Sequence, residues 1–247
     1  MENNDFSNLN ENENKMIVFV MHEIHASLNS IVSKLSYLSK KDPSKREDQE
    51  IIKEGILDAS CYADTIRMFL DYFQLSADPN AYFAGAKMKP QDLWRTFYYP
   101  NEYFKNFMRK KGIKHKVEKI DDRIPLIEAF PIIHAISNIL WDNAIKYSPN
   151  GSEIFCTFEI EGDDLIITME NTGPYLDEED LKNLFKKGFR GKNATKKDIR
   201  GHGYGMDFLK QIVDAHDGHI KIKSSNDSLL DGIPHGEFKC ILSLPIE

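Results

Sequence analysis

The dipeptide His22-Glu23 pairs an imidazole with a carboxylate inside the first apolar segment of the chain. Apolar residues recur there at helical spacing with Met21 in the apolar seam, so His22 is expected to face solvent. A carboxylate bonded to one ring nitrogen fixes the tautomer, and the other nitrogen can then attack an electrophile. The pair suits nucleophilic catalysis, but from the helix alone an ordinary polar surface is the favoured interpretation. Zinc fits poorly, because His22 and His25 lack the three intervening residues of an H-E-x-x-H motif.

Asn143 and Lys146 lie three residues apart on one side of a second predicted helix. An amide oxygen can bind Mg²⁺, and an ammonium group can bind phosphate as a point charge. The same residues near a helix C-terminus also serve as ordinary caps and dipole partners. The pair indicates a phosphate site only if other motifs support it.

Three glycines, Gly201, Gly203 and Gly205, lead directly into an apolar helix that begins near Met206. Glycines at such a position let backbone amides and a helix N-terminus approach phosphate closely. The G-x-G-x-G spacing matches neither the dinucleotide fingerprint nor the P-loop, and a structural turn fits it as well. The preceding segment, 186–200, holds seven Lys or Arg against one Asp, which favours a flexible basic segment that closes over a polyphosphate.

Two heptad seams predict the helices that carry His22. Because two such helices cannot bury both seams alone, residues 16–76 are expected to form a hairpin that dimerises into a four-helix bundle. Pro43 and its neighbours break the pattern at 40–46 and predict the turn between the helices. The seam residues are Ile17, Met21, Ile24, Leu28, Ile31, Leu35 and Leu38, followed by Ile52, Ile56, Ala59, Ala63, Ile66, Leu70 and Phe73.

Beyond the hairpin the pattern mixes helices and strands. The polar, Asn-rich segment 1–15 is expected to be disordered, 77–89 to be a linker, and 90–247 to be a separate domain. Residues 172–204 are expected to be loop-rich. The order of segregated helices and hairpin strands predicts an α+β fold. Helices are predicted at 92–110, 131–147 and 206–216, and strands at 113–120, 154–160, 165–169, 219–224 and 237–244.

Composition excludes several classes of protein. The formal net charge is −7, which argues against nucleic-acid binding by bulk phosphate attraction. The three cysteines are far apart, so neither a disulfide framework nor a zinc ribbon is expected, and a reducing cytoplasm fits best. No apolar run approaches the ~20 residues of a membrane span, and the N-terminus lacks signal-peptide order. The sequence therefore predicts a cytoplasmic protein with no membrane segment.

Taken in order, five motifs resemble those of bacterial sensor histidine kinases. Their joint occurrence on a helical hairpin followed by an α+β domain carries the resemblance over nearly the whole chain. The motifs are the H-box at 21–31 (MHEIHASLNSI), the N-box at 143–148 (NAIKYS), the G1 box at 170–174 (ENTGP), the F-box at 185–191 (FKKGFRG) and the G2 box at 201–206 (GHGYGM).

The resemblance implies a dimeric phosphoacceptor hairpin joined to an α+β two-layer sandwich of the Bergerat, or GHKL-type, ATPase fold. It implies autophosphorylation from ATP and Mg²⁺, then transfer to an aspartate of a response regulator receiver domain. His22 would be the phosphoacceptor, Glu23 its orienting base, Asn143 the Mg²⁺ ligand and Asn171 the adenine contact. Nucleotide contacts are also implied for Lys146, Tyr147, Gly173, Phe185, Arg190, Gly201, Gly203, Gly205 and Met206.

Several positions depart from the family pattern. Asn171 replaces the adenine-binding Asp, which keeps an acceptor oxygen but removes the charge. Ile139 stands where the usual polar partner of Asn143 is expected, and where related ATP hydrolases carry a general-base Glu. His25 and Ser27 replace the usual Arg and Pro. These departures leave a second interpretation open: a non-catalytic, dimeric interaction protein that retains the kinase fold.

Overall fold

The computed structural model describes residues 11–98, 102–121, 123–196 and 202–246. Contacts divide the chain into two units, Met1–Ala84 and Gly85–Glu247, each of which is treated separately. Helices followed by an α/β sandwich confirm the predicted fold class.

The first unit is a helical hairpin of α1 (Glu11–Leu38) and α2 (Arg46–Ala77). The helices are joined by an ion pair between Lys34 and Asp58 at 2.7 Å. Near the opposite end, the rings of Phe19 and Phe69 meet edge to face with centroids 5.4 Å apart. Gly55, which is unfavourable for helix propensity, lies against Leu38, and an added Cβ would come within 2.6 Å of that side chain. The glycine therefore allows close packing of the helices beside the turn.

The ends of the hairpin differ in detail from the sequence patterns. Helix α1 begins at Glu11, so the predicted disorder does not extend to residue 15, and residues 1–10 lie outside the described residues. The predicted linker contains a short helix, α3 (Pro79–Phe83), whose first turn is capped by the Asp78 carboxylate accepting from the Ala81 N–H at 3.0 Å. A proline at the first helical position favours this helix start, which the turn signals alone did not reveal.

One described stretch, Met16–Leu38 of α1, is long and apolar enough to cross a membrane by length and composition, with a mean hydropathy of 1.2. The sequence prediction found no such run. A core helix of a soluble bundle and an N-terminal signal sequence satisfy the same criterion, so this single helix does not establish a membrane span.

The second unit contains a six-stranded sheet with strand order β2-β4-β5-β8-β6, and β7 pairs with β8. Only the β2–β4 pair is parallel among these described pairs. A separate two-stranded ladder joins β1 to β3. The strands are β1 (Lys89–Gln91), β2 (Lys114–Lys119), β3 (Ile127–Ala129), β4 (Glu153–Glu161), β5 (Asp164–Pro174), β6 (His219–Ser224), β7 (Ser228–Leu230) and β8 (Ile233–Pro245). The helices are α4 (Leu93–Tyr98), α5 (Glu102–Lys111), α6 (Ala135–Tyr147), α7 (Glu178–Asn183), α8 (Lys192–Lys196) and α9 (Gly205–Asp214).

Helices α6 and α9 contact each other and the sheet, which makes a two-layer sandwich. The apolar face of each element follows its period: alternate residues of β4 are buried, whereas α9 buries one helical stripe. The largest fully buried side chains of this unit are Trp141, Phe97, Phe158, Leu93, Ile127, Ile133, Ile136, Ile154, Leu165 and Ile167.

The segment 172–204, predicted to be loop-rich, contains more regular structure than expected among its described residues. Strand β5 continues to Pro174, because it pairs with β8 along its whole length, and α7 and α8 occupy part of the remainder. Pairing with a partner distant in sequence extends the strand through polar residues that carry no apolar alternation. The predicted helix at 92–110 is two helices, α4 and α5, separated by residues outside the described part of the chain.

Candidate functional site

His22 and Glu23 lie on α1 of the hairpin, with 71% of the His22 side chain exposed. The Glu23 Oε1 atom lies 3.3 Å from the His22 Nδ1 atom. A carboxylate at that distance favours the tautomer with the proton on Nδ1, so the lone pair lies on Nε2. The helical period explains the exposure, because the buried residue of this turn is Val20, two positions before His22 and on another face of the helix.

The end of α6 carries the predicted Asn143 and Lys146. The Asn143 Nδ2 atom donates to the Met206 sulfur at 3.5 Å, which leaves the amide oxygen as the atom able to bind a cation. The Lys146 ammonium lies 3.9 Å from the Asp142 carboxylate and 5.7 Å from the centroid of the Tyr147 ring. With its side chain 25% exposed, Lys146 is held near the surface by these two neighbours.

Asn171 and Gly173 lie on β5 beneath this helix end. Asn171 continues the inward-facing alternation of the strand and is 5% exposed. Its Nδ2 atom donates to the carbonyl of Thr172 at 2.9 Å. A Cβ on Gly173 would lie 3.5 Å from Asn171 Nδ2 and 3.7 Å from Tyr147 Cβ. The fold therefore brings together two motifs, the N-box and the G1 box, that are separated in sequence.

The F-box and the G2 box meet at Gly203. This glycine has φ +77°, and an added Cβ would lie 2.3 Å from the Phe189 carbonyl oxygen. Gly188 also has a positive φ of +74°, and its nearest neighbour beyond the local chain is the carbonyl oxygen of His202. The two loops thus touch backbone to backbone, an approach that only glycine permits.

Gly205 begins α9 directly beside α6. A Cβ on Gly205 would lie 3.6 Å from Ile139 Cγ2 and 3.8 Å from Asn143 Nδ2. The N-terminal amides of α9 are therefore next to the amide side chain of Asn143, and a helix N-terminus favours a negative charge. Ile139 is buried and supplies no polar partner to Asn143.

Three other residues that the sequence analysis singled out are not placed in this cluster. Lys192, expected to close over a polyphosphate, pairs instead with Asp177 at 3.0 Å and Glu179 at 2.6 Å. Phe185 is half-buried just after α7. Gly201 lies outside the described residues. The positive charge of Lys192 is therefore neutralised by acidic residues at the start of α7.

Electrostatics hold Tyr147 as a neutral phenol. Burial raises its pKa, the negative charge of Asp142 raises it further, and the positive charge of Arg190 opposes this rise. The interaction places Arg190 of the F-box within electrostatic reach of the N-box. Among the described residues, no group of three or more His, Cys, Asp or Glu could hold a metal ion. The Asn143 amide oxygen is the atom of this cluster that the N-box motif assigns to a cation.

Sequence reasoning missed two residues that support the cluster. Lys111 donates to three backbone carbonyls at the end of α6, and His216 joins the end of α9 to the segment before α6. Neither residue lies in a motif, and each partner is at least 34 residues away except the Ile212 carbonyl. No periodicity or spacing could have identified them.

Comparisons with known proteins identify a matching family and similar chains. Residues 128–247 match the family model described as histidine kinase-, DNA gyrase B-, and HSP90-like ATPase. The chain is 24% identical over 211 residues to the probable sensor kinase SilS of Salmonella typhimurium, covering 83% of this chain and 41% of SilS. It is 22% identical over 208 residues to the sensor histidine kinase CusS of Escherichia coli K12, covering 83% of this chain and 42% of CusS.

The same fold occurs in a solved histidine kinase. The structure of AdeS from Acinetobacter baumannii matches with a TM-score of 0.54 and 16% identity, covering 92% of this chain and 98% of that one. The chain spans about two fifths of the length of SilS and CusS. Residues 128–247 therefore form a GHKL-type ATPase domain, and the kinase relatives and the shared fold support a sensor histidine kinase core.

Proposed function

We propose that this chain is an ATP-dependent histidine autokinase that phosphorylates His22 and passes the phosphoryl group to an aspartate of a response regulator. The observation that carries the proposal is the convergence of the N-box, G1 box and G2 box, with Gly173 next to Tyr147 and Gly205 next to Asn143. ATP binding follows from the ATPase family of residues 128–247.

The cluster supports a nucleotide held at both ends. Buried Asn171 offers an amide for the adenine edge, and the N-terminus of α9 offers backbone amides for phosphate. Asn143 would hold Mg²⁺ through its amide oxygen, and bound Mg²⁺ would neutralise charge on the phosphates. Lys146 and Arg190 add positive charge near Tyr147, which suits a triphosphate.

At His22 the chemistry is an in-line displacement. The Nε2 lone pair forms a bond to the γ-phosphorus of ATP as the bond to the bridging oxygen breaks, and ADP leaves with the electron pair. Glu23 accepts the Nδ1 proton in a hydrogen bond, which stabilises the positive charge that develops on the ring. The high exposure of the ring leaves room for the nucleotide and, afterwards, for a receiver aspartate.

The hairpin supports a homodimer. Large apolar side chains of the seam are exposed at heptad intervals: Met21 at 47%, Leu28 at 45% and Leu35 at 50%. On α2 the seam residues Ile56 and Leu70 are likewise 55% and 44% exposed. A stripe of this kind, on both helices of a two-helix unit, is typical of the interior of a four-helix bundle.

Location in the cytoplasm is part of the same proposal. The described cysteines are free thiols, and two of them, Cys156 and Cys240, are buried in the sheet. Burial raises the pKa of both thiols, so they remain protonated and unreactive. Thiols of this kind suit the reducing compartment in which response regulators are phosphorylated.

The direct test is transfer of label from γ-labelled ATP to the purified chain. We expect incorporation in the wild type and in His25→Gln, whose exposed ring lies on the same helix, and none in His22→Gln. Equal labelling of His22→Gln and the wild type would overturn the assignment of the phosphoacceptor.

The competing function, a non-catalytic dimeric protein, is favoured by neutral Asn171 and apolar Ile139. Calorimetry with ADP and Mg²⁺ separates it from the kinase. If the chain is a dimer that binds no ADP and incorporates no label, the second function is correct and the kinase proposal is wrong.

A further inference from the structure

The last turn of α6 ends close to the residues proposed to bind nucleotide, and its carbonyls need partners. The final four carbonyls of an α-helix have no N–H partner within that helix. Here the Ala144 carbonyl accepts from the Ser148 N–H at 3.1 Å. The Ile145 and Lys146 carbonyls, in contrast, accept from a side chain that lies 34 and 35 residues earlier in the chain.

That side chain is Lys111, the last residue of α5. Its ammonium donates to the carbonyls of Ile145 at 2.7 Å, Lys146 at 3.1 Å and Ser148 at 2.8 Å. An ammonium has three N–H donors, so the three carbonyls match its full donor capacity. The positive charge also lies at the negative end of the α6 dipole, where a cation is most stabilising.

The main chain ties the same two segments together. The Gly151 N–H donates to the Lys111 carbonyl at 2.8 Å, and the Lys114 N–H donates to the Ser152 carbonyl at 3.0 Å. Gly112 adopts φ +64°, which lets α5 end abruptly beside this turn. The turn after α6 is therefore clamped to the turn after α5, with the ammonium of Lys111 at its centre.

We infer that Lys111 is a positioning residue for nucleotide binding, acting through the last turn of α6. This inference rests on the proposed function. Asn143, Lys146 and Tyr147 occupy that last turn and the residue before it, so their side chains take their direction from backbone that Lys111 holds. Without the ammonium, the Ile145 and Lys146 carbonyls turn toward water, the helix end frays, and the Mg²⁺ and phosphate contacts of this helix end lose their common geometry.

The probe is ADP with Mg²⁺, titrated into the full chain by calorimetry. Lys111→Met keeps the aliphatic stem and removes all three donors, and we expect it to weaken ADP binding about tenfold or more. Lys111→Arg retains a cation able to donate to the carbonyls and should stay within about threefold of the wild type. Lys110→Met is the matched control, because that neighbouring ammonium lies over the Phe107 ring at 5.5 Å and is exposed.

A double-mutant comparison separates positioning from general destabilisation. If Lys111 acts through Lys146, the double variant Lys111→Met, Lys146→Met should lose much less affinity than the two single losses combined. A purely structural role would make the losses additive.

The outcomes are distinct. ADP affinity of Lys111→Met within twofold of the wild type, or additive losses in the double variant, would overturn the inference alone. If Lys111→Met does not fold, a tenfold or greater loss in Lys111→Gln supports the inference and an unchanged affinity overturns it. A wild-type chain that binds no ADP would overturn the proposed function, and this inference with it.

Discussion

Replacing Gly203 with alanine tests whether the F-box and G2 box depend on each other through their backbones. A methyl carbon at this position would lie 2.3 Å from the Phe189 carbonyl oxygen and 2.7 Å from the Gly188 carbonyl carbon. Ordinary contacts begin at about 3.5 Å, so the two loops would have to separate by about 1 Å. The residue also has φ +77°, which a side chain disfavours.

The two effects set the expected magnitude. A left-handed conformation costs roughly 1–2 kcal/mol for a residue other than glycine. Forcing a methyl group into a filled space costs roughly a further 1–3 kcal/mol. We therefore expect Gly203→Ala to lower the free energy of unfolding of the second unit by about 2–5 kcal/mol.

The matched control is Gly205→Ala in the same motif. Its Cβ would meet Ile139 Cγ2 at 3.6 Å, an ordinary contact, and the position is the first of α9. Alanine there should leave stability within about 1 kcal/mol of the wild type, because it favours helix over the unfolded chain.

Urea unfolding without nucleotide, followed by tryptophan fluorescence, measures this difference. Both tryptophans, Trp94 and Trp141, lie in the second unit, so the signal reports that unit. A Gly203→Ala variant as stable as Gly205→Ala would refute the argument from backbone contact.

Four further predictions concern the same elements. Burial lowers the pKa of His216, so this residue contributes to the free energy of unfolding above the unfolded-state pKa of ~6.5, and the contribution is lost as the pH falls below that value. Urea unfolding of His216→Gln at several pH values between about 7.5 and 5.5 should therefore show a smaller loss of stability with falling pH than the wild type shows. Leu28→Asp should release monomers in light scattering, since burying one large aliphatic side chain contributes ~1.5–3 kcal/mol. Asn171→Ala should weaken ADP binding ~5- to 150-fold in calorimetry, because a buried polar group is left unsatisfied at a cost of ~1–3 kcal/mol. The family resemblance implies that Ala26, one turn after the phosphoacceptor, cannot hold a hydrolytic water, so the wild type should be a poor phosphatase of its phospho-regulator and Ala26→Thr a better one.

Each of these has an outcome that contradicts it. If the stability of His216→Gln depends on pH as strongly as that of the wild type, another group causes the acid sensitivity. A fully dimeric Leu28→Asp variant would show that the seam is not the dimer interface. Asn29→Asp, which lies off the seam, is the control. ADP affinity of Asn171→Ala equal to that of Thr168→Ala, on the other face of β5, would show that the G1 box is misplaced. Rapid decay of the phospho-regulator with wild-type protein, unimproved by Ala26→Thr, would refute the last prediction.

The amino-acid sequence by itself determined the local elements and the family. Heptad spacing predicted the two long helices, and alternation predicted β4 and the first part of β5. Such patterns depend on near neighbours, because one helical turn or one strand pleat decides which residues share a face. Motif order added the kinase fold, which the structure and the comparisons confirm.

Only the tertiary structure decided which distant groups meet. Lys192 carries the charge of a phosphate ligand, yet Asp177 and Glu179 at the start of α7 bind it. Lys111 lies in no motif, yet its ammonium donates to two carbonyls of α6 and to that of Ser148, the residue after it. His216 bonds the Phe130 N–H across 86 residues. Contacts of this kind form when the chain closes long loops and buries polar groups that must then find partners, and no local spacing in the sequence records which partner each group will find.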